Sequence, residues 1–206
     1  VNISQLLVFS NNMEYEDGIV EPIFGAFYAT PSYEQVNFNY FREDSDYPVK
    51  QTIGAIDDKT ENDLLKDNNL VVIKNSPEYI VNKQDNTPTN RILSSLFSKE
   101  RLQFILRYAI AYVEEENAGK ISYQKHIMRY PQIFATQAIA TKLEAGQNKG
   151  IIWHTQGSGK TALAYYNVKH LTDYYAKKGI IPKFYFIVDR IDLLIQASNE
   201  FKIRGL

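Results

Sequence analysis

Apolar residues occur in short runs over the first half of the chain. The runs at residues 6–9 and 23–30 end at Asn11-Asn12 and at Pro31, and both predict β-strands. A third run at residues 70–73 predicts another strand, and the polar stretch 75–90 predicts a loop.

The next segment carries apolar positions at three- and four-residue spacing, which is typical of a helix. Residues 98–116 are predicted as this helix, with Ser98 able to cap its start and Gly119 following as a natural stop. Its apolar positions are Leu102, Ile105, Leu106, Ala109 and Val113.

From Lys120 onward the pattern alternates between helix and strand. Residues 131–144 and 160–177 are predicted as helices, and residues 150–154 and 184–188 as strands. Such alternation predicts an α/β fold with a parallel sheet. We place a domain boundary near residue 118, which divides the chain into residues 1–117 and 118–206.

Composition narrows the class of protein only a little. The 206 residues are 44% hydrophobic, rich in Tyr and Phe, and carry a formal charge of −1, so any DNA contact would need a local patch. The chain has no Cys, which excludes a Cys-based zinc site and fits a cytoplasmic location. No apolar run of membrane-spanning length is present, and a start at Val1 suggests a piece of a longer protein.

Residues 43–67 hold eight carboxylates and three lysines. The simplest interpretation is a solvated surface segment, and the alternative is a metal-binding cluster without diagnostic spacing. The carboxylates are Glu43, Asp44, Asp46, Asp57, Asp58, Glu61, Asp63 and Asp67.

The most informative motif follows the apolar residues 151–153. It reads His154-Thr155-Gln156-Gly157-Ser158-Gly159-Lys160-Thr161 and leads into a predicted helix. Glycines let the backbone approach phosphate oxygens, successive N–H groups form an anion-binding nest, and the helix start adds a partial positive charge. Lys160 would reach the β- and γ-phosphates of ATP, and the Thr161 hydroxyl would bind Mg²⁺.

His154 stands where the general pattern has its first glycine, and helicase-like ATPases tolerate this change. A hydrogen-bonded structural role for this histidine is favoured over catalysis. His126 and His170 have no partner at metal-ligand spacing, so a zinc site is not expected.

Asp189 ends the apolar run 184–188, as a magnesium-ordering aspartate does in many ATPases. Arg190 follows it, in the place of a catalytic glutamate, and this is the first predicted strand after the phosphate-loop helix. We therefore favour a structural or nucleic-acid-facing role for this strand, and expect the catalytic acidic pair beyond Leu206.

Three segments together resemble a known family. They are residues 129–135 (RYPQIFA), 153–161 (WHTQGSGKT) and 186–196 (FIVDRIDLLIQ), and they are similar to the restriction (R) subunit of type I restriction-modification enzymes. The resemblance is close over residues 96–206 and loose over residues 1–95. It implies a P-loop, RecA-like first motor lobe, present in part, preceded by an α+β remnant of a restriction-endonuclease-like domain.

The resemblance also implies roles for residues in this chain. Gln132 would hydrogen-bond the adenine edge, Arg190 would reach DNA phosphate, and residues 155–161 would hold Mg·ATP. A capping or solvent-facing role for Gln132, and an ion pair for Arg190 with surface groups, remain the alternatives. The nuclease's glutamate-x-lysine motif is not found in residues 1–118, since Glu61 and Glu78 lack a lysine two places on.

The implied activity is an ATP-dependent type I site-specific deoxyribonuclease that translocates duplex DNA and cuts it away from the recognition site. Methylation (M) and specificity (S) subunits would be its partners, and this piece would bind ATP without turning it over. The alternatives are another P-loop NTPase, such as a DNA-repair helicase or a nucleoside kinase, and a non-catalytic nucleotide-binding module.

Overall fold

The computed structural model describes residues 4–12, 25–32, 36–42, 48–49, 54–117 and 119–206. The described residues form a mixed α/β fold with small antiparallel pairings and helices. They divide into two compact units. One comprises the described parts of residues 7–28 and 38–103, and the other those of residues 1–6, 29–37 and 104–206.

The first unit contains a three-stranded sheet in the order β1-β2-β3, in which β2 and β3 are antiparallel. The strands are β1 (Leu7–Asn11), β2 (Gly25–Ala29) and β3 (Asn39–Phe41). The strands predicted at residues 6–9 and 23–30 are thus confirmed in their described parts. Tyr28 and Phe41 pack edge to face and are buried.

Helical segments follow in this unit. They are α1 (Asp58–Asp67), a 3₁₀ turn (Val71–Ile73), α2 (Pro77–Asn82), α3 (Pro88–Arg91), a π-helical turn (Ile92–Leu96) and α4 (Lys99–Phe104), which continues into the second unit.

Two predictions for this region are wrong. The run at residues 70–73 is a 3₁₀ turn rather than a strand, and the polar stretch 75–90 holds two short helices. Each helix starts with a capping hydroxyl followed by proline at the first helical position: Ser76 accepts the N–H of Tyr79, and Thr87 that of Asn90. The composition suggested a loop, but this cap chemistry favours helix starts.

In the long segment of the second unit, which starts at residue 104, another π-helical turn (Ile105–Ala109) comes first and an antiparallel hairpin follows. The remaining elements are β4 (Ile110–Asn117), β5 (Lys120–Ile127), α5 (Tyr130–Glu144), α6 (Lys160–Ala176) and α7 (Ile191–Lys202). The helices predicted at residues 131–144 and 160–177 are confirmed as α5 and α6. Residue 118 lies outside the described residues, between the paired ends Asn117 and Lys120.

The helix predicted at residues 98–116 is wrong beyond Ala109. In β4, Ala111 and Val113 are 3% and 1% exposed, whereas Tyr112 between them is 54% exposed. This alternation is the two-residue period of a strand with one buried face, and β-branched and aromatic residues favour that conformation. The helix was predicted this far because Ala109 and Val113 are four residues apart, a spacing that places two residues on the same face of a helix and also on the same face of a strand.

Residues 151–155 and 180–188 form no strand in the structure. Their apolar side chains are largely exposed, with Ile151, Trp153 and Ile187 at 90% or more. The two parallel strands predicted here are therefore not confirmed. A strand requires a neighbour for its backbone N–H and C=O groups, and the described residues pair no strand with either segment.

Candidate functional site

The glycine-rich loop runs directly into α6. Gly157 and Gly159 have φ angles of 75° and 79°, in the left-handed region that glycine adopts at little cost. Gly159 is the N-cap of α6, so the helix begins at Lys160, as the motif predicts. The first N–H groups of a helix have no intrahelical acceptor, and this helix start therefore offers donors to an anion.

Lys160 contacts the backbone of its own loop. Its Nζ donates to the carbonyl oxygens of His154 at 3.3 Å and Thr155 at 2.9 Å. An ammonium group has three donors, so one remains for a further acceptor after these two bonds. Lys160 is otherwise exposed, and its charge lies at the start of α6.

The first turn of α5 holds the other side of the loop. Arg129 Nη1 donates to the Gly157 carbonyl at 3.3 Å, and Gln132 Nε2 donates to the Gly159 carbonyl at 2.9 Å. Gln132 is buried, with 4% of its surface exposed. Arg129 lies in the sequence segment 129–135, but no contact between this residue and the loop was predicted from the sequence. Its position three residues before Gln132, at a helix start marked by Pro131, was the available signal.

Two polar atoms near the loop lack a hydrogen-bond partner. Ser158 Oγ and His154 Nδ1 are both inaccessible to solvent, and the structure gives neither a partner. Buried polar atoms are nearly always hydrogen-bonded, so this pair suggests a site for an oxygen-rich ligand. Thr155 and Gln156 are exposed on the loop, and Thr161 is half-buried in the first turn of α6. Hydroxyls, N–H donors and one ammonium form a donor set that fits a magnesium-bound triphosphate.

The far end of α6 is anchored by a second polar cluster. Asp173 accepts a hydrogen bond from the Tyr108 hydroxyl and forms ion pairs with Arg107 at 2.9 Å and Lys177 at 3.0 Å. Burial and the bond to Asp173 raise the pKa of Tyr108 to about 12. The Tyr108 and Lys177 bonds hold the pKa of the Asp173 carboxyl below its usual value. The helix that carries Lys160 is therefore held at both ends.

Arg190 is exposed and forms an ion pair with Asp192 in the first turn of α7, with Arg190 Nε 3.1 Å from Asp192 Oδ1. This hydrogen bond lowers the pKa of the Asp192 carboxyl. Asp189 is also exposed. The ion pair considered as the alternative role for Arg190 is thus present, and the contact with nucleic acid stays a prediction.

The remaining candidate ligands do not form a cluster. In the part of the chain that the structure describes, no three His, Asp or Glu side chains could hold a metal ion together. Burial lowers the pKa of both His126 and His170. His170 packs edge to face against the rings of Phe104 and Tyr108.

The helices in the described ranges include none that is both long and apolar enough to cross a membrane.

Comparison with known protein families gives a match over the part of the chain that contains this loop. Residues 125–205 match the family described as "Type III restriction enzyme, res subunit", a helicase-like family, and this range contains α5, the loop, α6 and α7. No solved structure gives a significant match.

Three relatives carry related names. The putative type I restriction enzyme MjaVIIP endonuclease subunit of Methanocaldococcus jannaschii is 38% identical over 102 residues, which are 47% of this chain and 9% of that protein. The SauCOLORF180P endonuclease subunit of Staphylococcus aureus is 36% identical over 74 residues, 36% of this chain and 8% of that protein. The SsaAORF53P endonuclease subunit of Staphylococcus saprophyticus is 38% identical over 74 residues, with the same coverage.

The match thus spans less than a tenth of the length of these relatives. Each of them is named as the endonuclease subunit of a type I restriction enzyme. The chain is therefore a homologue of type I restriction enzyme endonuclease (R) subunits and carries a helicase-like segment of the restriction-enzyme type over residues 125–205.

Proposed function

We propose that this chain is the ATP-binding part of the motor region in a type I restriction enzyme endonuclease subunit. One observation carries the proposal: a loop with two left-handed glycines, held by Arg129 and Gln132, delivers Lys160 to the start of a 17-residue helix. The relatives' names support the enzyme class, and the helicase-like family match supports the location of the motor segment.

The residues divide the binding work by their chemistry. The N–H groups at the start of α6 would bind phosphate oxygens, helped by the positive end of the helix dipole. Lys160 would use its remaining donor on the β- and γ-phosphates while it keeps its bonds to His154 and Thr155. The Thr161 hydroxyl would bind Mg²⁺, and residues 155–159 would surround the phosphates.

Bound Mg·ATP would supply the phosphoanhydride bond whose hydrolysis drives the motor. The chain's own contribution is to orient the phosphates and neutralise their charge. The described residues provide no acidic pair after the loop helix that would position a water molecule, and Arg190 follows Asp189 in the sequence. We therefore propose that turnover requires residues from elsewhere in the longer protein.

The proposal extends to the complete enzyme. A motor of this class would translocate duplex DNA, with Arg190 contacting phosphate, and a nuclease domain of the same subunit would cut away from the recognition site. Methylation and specificity subunits would provide recognition, in the cytoplasm. The fold that fits this function is a RecA-like parallel sheet, in which residues 150–154 and 184–188 would become strands next to further strands of the protein.

The test is Lys160→Ala in the full-length subunit, assembled with its complex. Because the γ-phosphate loses its cation, DNA-stimulated ATP hydrolysis should be abolished, and calorimetric titration with Mg·ATP should show weakened binding. Lys142→Ala is the matched control, since Lys142 is an exposed lysine on α5. Hydrolysis at the wild-type rate in Lys160→Ala would exclude this loop as the ATP site.

A further inference from the structure

A cavity of about 480 Å³ lies in the second unit, beside the middle of α6. Its volume falls within the range of small-molecule sites, roughly 300–1,000 Å³. Lys169 lines this cavity and lies about 14 Å further along the helix than Lys160, at a rise of about 1.5 Å per residue. The residues that carry the argument are Leu106, Ile110, Tyr112, Tyr165, Lys169 and Arg204.

Lys169 gives the cavity a positive charge. Tyr165 and Lys169 are four residues apart on α6 and therefore share one face of the helix. The Lys169 side chain is half-buried, and its Nζ donates to the Ile110 carbonyl oxygen at 3.3 Å, which uses one of its three donors. No carboxylate in the described ranges pairs with it, and burial lowers the pKa of its ammonium group. An anion in the cavity would offset the cost of burying this charge.

Arg204 gives the cavity a second donor. Its side chain is 6% exposed, and its Nη1 lies 2.6 Å from a Glu200 carboxylate oxygen, so Glu200 compensates its charge. The Tyr165 hydroxyl donates to the Arg204 carbonyl oxygen at 3.2 Å, and the Tyr165 ring lies 5.8 Å from the guanidinium carbon. Arg204 Nε is inaccessible to solvent and has no hydrogen-bond partner among the described residues. Since buried donors are nearly always paired, an oxygen acceptor in the cavity would satisfy this group.

The rest of the wall is partly apolar. Leu106 and Tyr112 line the cavity, yet 50% and 54% of their surfaces are exposed. A ligand with a flat, apolar body would cover both side chains, whereas an inorganic ion would leave them in water. The cavity therefore combines one uncompensated cation with an aromatic surface.

We propose that this cavity binds a small organic anion, whose phosphate or carboxylate group bonds Lys169 and Arg204 and whose flat apolar body packs on Tyr112 and Leu106. A single anionic group matches the single uncompensated charge. The site is separate from the loop proposed for Mg·ATP, although its ligand contacts the same helix.

Calorimetric titration of the full-length subunit tests this site, with Mg·ADP present to occupy the loop. The probes are phenyl phosphate, benzoate, inorganic phosphate and benzyl alcohol. Lys169→Met removes the charge and retains an unbranched side chain, and Lys142→Met at an exposed position of α5 is its control. Tyr112→Ala removes the aromatic surface. Its control is Tyr123→Ala, because Tyr123 is 52% exposed on β5 and does not line the cavity.

We expect the wild type to bind phenyl phosphate or benzoate at one site, about tenfold more tightly than inorganic phosphate or benzyl alcohol. The tighter of the two anionic probes identifies the group that the cavity prefers. Lys169→Met should weaken this binding by about tenfold, the usual effect of losing a hydrogen bond to a charged group. Tyr112→Ala should weaken it by about fivefold and leave inorganic phosphate unchanged. Both control variants should bind like the wild type.

The melting temperature of each variant shows whether it is folded. If Lys169→Met melts early, Tyr112→Ala still tests the site, because Tyr112 is largely exposed. The inference is overturned if neither anionic probe gives saturable heat, or if benzyl alcohol binds as tightly as they do. Wild-type affinity in both Lys169→Met and Tyr112→Ala would overturn it as well.

Discussion

Gly159 occupies a position that opposes a side chain for two independent reasons. Its φ angle of 79° lies in the left-handed region, and a Cβ there would lie 2.6 Å from Gln132 Nε2. Gly146, after α5, has a similar φ of 78° but open space around a Cβ. Alanine substitutions at the two glycines therefore distinguish the cost of backbone strain, which both positions share, from the cost of a steric clash, which arises only at Gly159.

We predict that Gly159→Ala lowers both the free energy of unfolding and the affinity for Mg·ATP. Gly146→Ala should lower the free energy of unfolding only by the cost of a left-handed alanine, about 1–2 kcal/mol. Gly159→Ala should lower the free energy of unfolding further, since the methyl group also displaces Gln132 from the loop. Denaturant unfolding and calorimetric titration of the full-length subunit measure both effects. Equal Mg·ATP affinities in the two variants would contradict the contact between Gln132 and the loop.

At the scale of elements, Glu61 connects the helices of the first unit. It lies on α1 and is 2% exposed, although the acidic block 43–67 was predicted to be a solvated surface. Its carboxylate accepts from the Tyr79 hydroxyl at 2.8 Å and pairs with Lys83 at 2.6 Å and Lys74 at 3.3 Å. The prediction is therefore wrong for Glu61, because residues that neutralise it come from outside the block. Asp57, Asp58, Asp63 and Asp67 are exposed, and Glu43, Asp44 and Asp46 lie outside the described residues.

Glu61→Gln should lower the melting temperature, because two ammonium groups then lose their anionic partner. The hydrogen bonds of Lys83 and Tyr79 lower the pKa of Glu61 from 4.5 to about 2. A lowered pKa stabilises the fold above the unfolded-state value, and this contribution disappears as the pH falls from 4.5 to about 2. The difference in stability between wild type and Glu61→Gln should shrink over this window in unfolding titrations. Glu78→Gln, at an exposed position on α2, is the control and should melt like the wild type. A difference independent of pH would argue against the ion pairs.

The elements themselves were predictable where local signals agreed. Helix α5 begins after Arg129 with Pro131 in its first turn, and α6 begins after a left-handed glycine, so both starts could be read from the chain. Strand β4 could not be predicted in this way, because the sequence from Ile110 to Val113 is compatible with either a helix or a strand. Pairing with β5 decides it, since all eight residues of β4 lie in register with β5 and the backbone groups that face β5 find partners there.

At the scale of the whole molecule, the exposed apolar segments are the main feature. Residues 151–153 and 184–187 expose large side chains, among them Trp153 and Tyr185. Contiguous exposed apolar surface usually marks an interface. The chain matches less than a tenth of its relatives' length, so further strands from the longer protein are the proposed cover.

We predict that residues 150–154 and 184–188 are protected from hydrogen exchange in the full-length subunit. Their amides should exchange as slowly as those of β4 and β5, because sheet pairing would bury them. Residues 54–57, which are exposed and outside any element, are the internal reference for fast exchange. Fast exchange in both predicted strands would contradict the RecA-like sheet and leave the loop as an isolated nucleotide site.

The chemistry of the loop was readable from the chain because it depends on neighbours in sequence. Glycine backbone freedom, the lysine that follows and the helix start are all local properties of residues 157–161. The partners of Gln132, the burial of Glu61 and the strand at residues 110–117 depend on side chains and strands that approach through space. No local pattern specifies which distant group will arrive, and the three-dimensional packing settled those points.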